Sequence, residues 1–460
     1  MKPLKSLTVT ALAAVVIIAV AAPPSSALEI KRMTLNNGAV LLVSEEHQLP
    51  MVTMAIAFDA GARRDPKGEA GLAELTAESL MQGTKQLKTT EFNRKADFMG
   101  SAIGVSAGHD YTVATLKTLK KYQGDTLKML TEVLQDPGLR DADIERKRAD
   151  MIANIKANQE QPGYVAAVAF RKQLFGASPY AHPIEGYADT VEKLTPEDVR
   201  NFYRTYYKFG SAVIAVAGDV DANHIKDQLN QVLTGLSGKV PAQGEPPLVK
   251  VPPGIHLDVI NRSVAQANLI LGSGGIARSN PDYYEIQVMN YILGGGGFAS
   301  RLTKVVRSKH GLAYSIGSEF EADKFPGPFA VVLQTKNQSS NEALKLILEQ
   351  LQEIRESPVS GAEMQSAKKF LIGSFPLKLD RQSQIVGFML DVQLNHLGLD
   401  YADKYPQLID AVNKAEVQKV AREYVHPHSL LIVAVADQPV AKISQSNFAP
   451  EQPAATTARK

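Results

Sequence analysis

Residues 68–84 read GEAGLAELTAESLMQGT and place two carboxylates one helical turn apart. Glu74 and Glu78 are spaced i, i+4, so on a helix they share a face. A helix that holds zinc with this spacing carries histidine at both positions. A glutamate directly before the second histidine then takes the proton from a metal-bound water. Here glutamates stand at both ligand positions and the methyl group of Ala77 at the base position, in a frame that keeps Gly71, Ala73, Gly83 and Thr84. Carboxylate oxygens suit hard cations, whereas zinc sites in enzymes lean on imidazole nitrogen. With no proton acceptor at position 77, water is not activated. The segment reads as two solvated glutamates on a helix face, slightly repelling each other. No catalytic residue and no metal ligand is assigned in this chain.

Other chemistry-bearing stretches are weaker. The run Gly294–Gly297 lacks the Gly-Lys-Ser/Thr ending of a phosphate loop, and four consecutive glycines hold a fixed backbone only through outside contacts. His426 and His428 flank a proline where a helix gives way to a strand, which is turn chemistry rather than a ligand pair. There are no cysteines, which excludes thiolate catalysis, cysteine-based zinc sites and disulfide staples.

The elements that must position these residues come twice. Residues 194–219 match residues 412–437 at an offset of 218 without a gap, each an amphipathic helix followed by an alternating strand. Residues 55–66 likewise resemble 267–281. A period this long is a domain duplication. Strands with alternating apolar residues beside long helices predict an α+β fold: two homologous domains, each a mostly antiparallel sheet covered by helices on one face. The boundaries read as a domain over 28–235, a Pro- and Gly-rich linker over 236–254, a second domain over 255–440 and a disordered tail over 441–460.

The first 27 residues have a short basic start, an apolar run and Ser25 and Ala27 before a cleavage point, the pattern of a secretory signal peptide. The expected compartment is the periplasm or the exterior. Without those residues the 50 basic and 48 acidic side chains become balanced, because Lys2 and Lys5 are lost. Such a chain carries no charge signature of nucleic-acid or membrane-surface binding. No further hydrophobic segment is long enough to span a membrane.

The 68–84 frame resembles that of the pitrilysin/insulinase-type metallopeptidases, the inverted zincins. So do residues 179–186 (PYAHPIEG) ahead of the first repeated helix and strand, and 293–302 (LGGGGFASRL) with 307–315 (RSKHGLAYS) in the second half. The resemblance covers roughly residues 29–440. It implies a half clam-shell of two domains. It also implies a third zinc ligand on the helix near 145–156, where this chain has Ala153 and Asn154 in place of acidic residues.

In one branch of that family two different subunits work together. One carries the zinc helix. The other lacks it and keeps an arginine and a tyrosine seven residues apart. Arg307 and Tyr314 match that pair, and the resemblance implies that they are substrate-binding. An arginine fork and a phenolic hydroxyl both suit the carbonyl oxygens of an extended peptide. The implied function is a non-catalytic subunit of an exported heterodimeric zinc endopeptidase, with zinc on a homologous partner and none bound here. The alternatives are a catalytically dead scaffold or peptide-binding protein of the same fold, and a stand-alone peptidase. The family also uses an edge strand to receive substrate, and residues 101–106 are its counterpart.

Overall fold

The computed structural model describes residues 28–246, 249 and 251–447. The expected signal peptide lies outside the described residues, as do 448–460. Among the described residues no helix is long and apolar enough to cross a membrane.

Each half is built on one sheet. The first contains β1 (Lys31–Thr34), β2 (Val40–Glu45), β3 (Met51–Phe58), β4 (Ala102–Ala107), β5 (Thr112–Leu119) and β6 (Val213–Gly218), in the spatial order β1-β2-β6-β3-β5-β4. The second contains β7 (Gly254–Asn261), β8 (Gln266–Gly274), β9 (Ala313–Ala322), β10 (Pro326–Lys336) and β11 (Ser429–Ala436), in the order β7-β11-β8-β10-β9. Among the described strands only β2–β6 and β7–β11 pair in parallel, so both sheets are mixed. The sequence repeat becomes the Pro196–Tyr206 helix with β6 and the Lys414–Tyr424 helix with β11. Thr195 and Asn413 cap the two helices with reciprocal side-chain bonds.

Helices cover both faces of each sheet, not one face as the sequence led us to expect. The first face is packed by helices of the same half, with Leu75, Leu130 and Val199 against Met54, Ile56 and Leu116 in one core. The opposite face receives a helix from the other half. Gln382–Leu394 lays Ile385, Val386, Met389 and Leu390 on Ala55, Ala57, Val213 and Ala215. Reciprocally, Pro162–Phe175 lays Ala166, Phe170 and Leu174 on Ile270, Leu431 and Val433. This exchange explains why β6 and β11 are apolar on both sides and read as continuous hydrophobic runs.

The hairpin turns of the two sheets meet at the seam. Asp110, in the β4–β5 turn, accepts from the Tyr180 hydroxyl at 2.6 Å and from the Lys324 N–H of the β9–β10 turn at 3.0 Å, with Arg63 Nε 3.1 Å away. The first part of the expected linker is tied to the N-terminal half: Arg64 donates to the Pro241 carbonyl at 3.0 Å, and Phe209 N–H to the Leu236 carbonyl at 2.9 Å. The start of the expected tail is packed instead. Ala441 and Ile443 are buried in the C-terminal core, and the Gln438 side chain brackets the Ile443 backbone.

Candidate functional site

The 68–84 segment forms its helix over Leu72–Leu80. Gly71 has φ +100°, and a Cβ there would stand 2.6 Å from the Glu185 carbonyl oxygen. A Cβ at Gly186 would meet the Ala70 oxygen at 2.0 Å, so the 179–186 segment and the helix start approach as only glycines allow. The Asp65 carboxylate accepts from Gly71 N–H and Ala73 N–H, both at 2.8 Å, and satisfies the helix N-terminus.

Glu74 and Glu78 share the predicted face but not a ligand. Glu74 is half-buried rather than solvated. Its carboxylate accepts from the Ala107 N–H of edge strand β4 at 3.1 Å. Burial raises its pKa above the usual carboxylate value, partly opposed by that hydrogen bond and reinforced by Glu78. Glu78 faces the Lys147 ammonium, 3.5 Å away. Lys147 belongs to the Asp141–Asn158 helix, on the stripe that buries Ile144, Met151 and Ile155. Ala153 and Asn154, where the third ligand was sought, are both exposed, Ala153 on the opposite side and Asn154 two turns beyond Lys147.

This arrangement does not fit zinc. One carboxylate is occupied by a backbone N–H, the other by an ammonium that repels any added cation, and no imidazole is present. Among the described residues no three His, Asp or Glu side chains converge as a metal-binding group.

In the second half the glycine run is packed at its first residue, Gly294. It continues the Tyr283–Asn290 helix as a π-helical turn over Tyr291–Gly295. A Cβ on Gly294 would lie 2.4 Å from Ser318 Oγ and 2.5 Å from its N, so the turn presses against edge strand β9. A second π-helical segment, Thr303–Lys309, carries Arg307 on its exposed side, and Tyr314 follows on β9. Tyr314 is 70% exposed. The Arg307 guanidinium lies 5.0 Å from the ring centre of Phe298, itself 72% exposed. The two predicted residues therefore sit on adjoining elements, open to solvent. His426 and His428 stay in the turn before β11, and the His428 carbonyl accepts from Gly254 N–H. Sequence reasoning missed Lys147 and Phe298. Lys147's place on an otherwise apolar stripe was the available signal for the first; Phe298 had none beyond its place after the glycines.

A duplicated α+β body with a metallopeptidase-type helix stripped of its imidazoles defines the class. Residues 40–186 match the family model described as Insulinase (Peptidase family M16), and residues 193–371 match that described as Peptidase M16 inactive domain. The chain belongs to the insulinase, or M16, family. It is 26% identical over 399 residues to the "Non-peptidase homolog YmxG" of Helicobacter pylori, covering 86% of this chain and 90% of that one. It is 25% identical over 400 residues to an "Uncharacterized zinc protease" of Streptomyces coelicolor, covering 86% and 87%. Among solved structures, a peptidase M16 inactive domain from Pseudomonas fluorescens superposes with a TM-score of 0.83 at 28% identity, covering 89% of this chain and 98% of that one.

Proposed function

We propose that this chain is a non-catalytic, substrate-contacting subunit of a zinc endopeptidase acting on peptides, with the metal on a homologous partner subunit. The observation that carries the reading is the Leu72–Leu80 helix, whose ligand positions are spent on the β4 backbone and on Lys147. Arg307 and Tyr314 support it from the other side. Both are exposed, and neither is consumed as a core side chain. Arg307 would grip a peptide carbonyl by its fork, and the Tyr314 hydroxyl would reach the oxygen that becomes anionic at the partner's zinc. The N-terminal pattern supports export to the periplasm or beyond. The name of the Helicobacter relative favours a second reading, a dead scaffold that binds without assisting catalysis.

The test is reconstitution. The purified chain alone should retain no stoichiometric zinc and cleave no peptide. Mixed with a homologue carrying an intact His-x-x-Glu-His, it should produce cleavage. Arg307→Ala or Tyr314→Phe should slow that cleavage on the order of tenfold, the loss of one good transition-state hydrogen bond. Unchanged rates in both variants favour the scaffold.

A further inference from the structure

The Thr303–Lys309 segment is a short basic element flanking an exposed aromatic. Lys304, Arg307 and Lys309 are all exposed on it, with no acidic residue among them. Among the described residues none of the three pairs with a carboxylate; the nearby acid Glu342 stands 4.0 Å from His310 instead. This local excess stands out in a chain whose charges otherwise balance. Phe298 and Tyr314 are two of its most exposed large apolar side chains. The segment is also π-helical, as is Tyr291–Gly295 before it, and such turns are frequent at functional sites. The same 291–295 turn helps wall a cavity of about 220 Å³ beside β9, lined by Gln287, Asn290, Tyr291, Phe320 and Phe370. Phe370 is half exposed beside it, its ring centre 5.0 Å from that of Tyr291 in a tilted arrangement. Unpaired cations and standing aromatics share one end of the C-terminal domain, and the cavity opens farther along β9, at Glu319, Phe320 and Ala322.

We propose that the Thr303–Lys309 segment, with Phe298 and Tyr314, is a docking strip for an acidic, extended peptide segment bearing an aromatic side chain. The ammonium groups of Lys304 and Lys309 meet the peptide carboxylates, while the Arg307 fork holds the backbone carbonyl between them. The face of Phe298 keeps the guanidinium in place, and the exposed rings cover the apolar side chain. This deepens the reading above, on which it rests, by naming the class of peptide that Arg307 and Tyr314 would meet.

The test is fluorescence anisotropy with the intact chain and two labelled peptides. One has glutamates around a central phenylalanine; the other has lysines in place of the glutamates. The acidic peptide should bind at least tenfold more tightly, and binding should weaken between 50 and 300 mM NaCl, as screening of exposed charges requires (roughly these salt levels bracket a Debye length near 10 Å). K304Q/R307Q/K309Q should weaken it at least tenfold and F298A severalfold, each with an unchanged Tm. K345Q/K369Q, at exposed lysines on other elements, should leave it unaltered. Equal binding of the two peptides, or full binding by the triple variant, overturns the proposal. If the acidic peptide binds but R307A and Y314F leave reconstituted cleavage intact, the strip stands and the substrate-contacting-subunit reading falls. Loss of cleavage without charge preference does the reverse.

Discussion

At the scale of single residues, the loss of a metal centre is a set of replacements with new partners, not a set of vacancies. Lys147 puts a built-in positive charge beside Glu78, and Glu74 turns its carboxylate to the β4 edge. The spacing of Glu74 and Glu78 is legible in sequence, because i, i+4 defines a face. What the face meets is not, because β4 and the Asp141–Asn158 helix arrive from 30 to 70 residues away. Hence the expectation of two solvated glutamates fails at Glu74. That burial has a pH signature. A carboxyl whose folded pKa lies above its unfolded value stabilises the fold when protonated, and that contribution is lost as pH rises through the folded value. At neutral pH Glu74 therefore carries a penalty. Glu74→Gln retains an acceptor for Ala107 N–H without the charge. It should unfold at higher urea concentration than the parent at pH 7, and the gap should close as pH falls to 4. A gap that widens on acidification would contradict the burial argument.

At the scale of elements, the repeated helix–strand pairs are legible because their periods are strong and their caps recur at Thr195 and Asn413. The glycine run is less so. Its composition signals freedom, while the fold uses it for closeness, and only the position of β9 distinguishes the two. Gly294 and Gly297 separate these roles. A methyl at Gly294 meets the Ser318 backbone, so either β9 or the π-helical turn must shift to admit it. Gly297 has φ +55° with open space around it. Gly294→Ala should cost about 2–3 kcal/mol as overpacking against backbone. Gly297→Ala should cost about 1 kcal/mol, the ordinary penalty of a left-handed residue. Urea unfolding of both variants checks the ranking. A Gly294→Ala protein as stable as the parent would mean that the turn is not pressed on β9.

At the scale of the molecule, the two halves are legible as a duplication but not as a joined object. An amphipathic stripe such as Ala166, Phe170 and Leu174 announces that a helix has a buried side; it does not say whose sheet it covers. In each case the sheet belongs to the other half, so neither half covers both faces of its own sheet. A fragment of residues 28–246 would expose Leu42, Ala55, Ala57, Val213, Ala215 and Ala217, which normally lie beneath Gln382–Leu394, and would also leave its own Pro162–Phe175 helix uncovered. Each face is an apolar patch of the kind that soluble monomers rarely leave open. The seam adds buried polar partners that would be orphaned, with Asp110 losing Lys324 and Arg171 losing Glu321. The fragments 28–246 and 251–447 should therefore each aggregate or bind hydrophobic dyes when expressed alone. Co-expressed, they should co-purify as a one-to-one complex that melts in a single transition, because each supplies the other's missing layer. Two separately soluble fragments, each with a sharp melting transition of its own, would show that the exchanged helices are ornaments on autonomous domains. The seam would then be a hinge between them, and the strip around Arg307 would be free to move relative to the N-terminal half rather than being held by it.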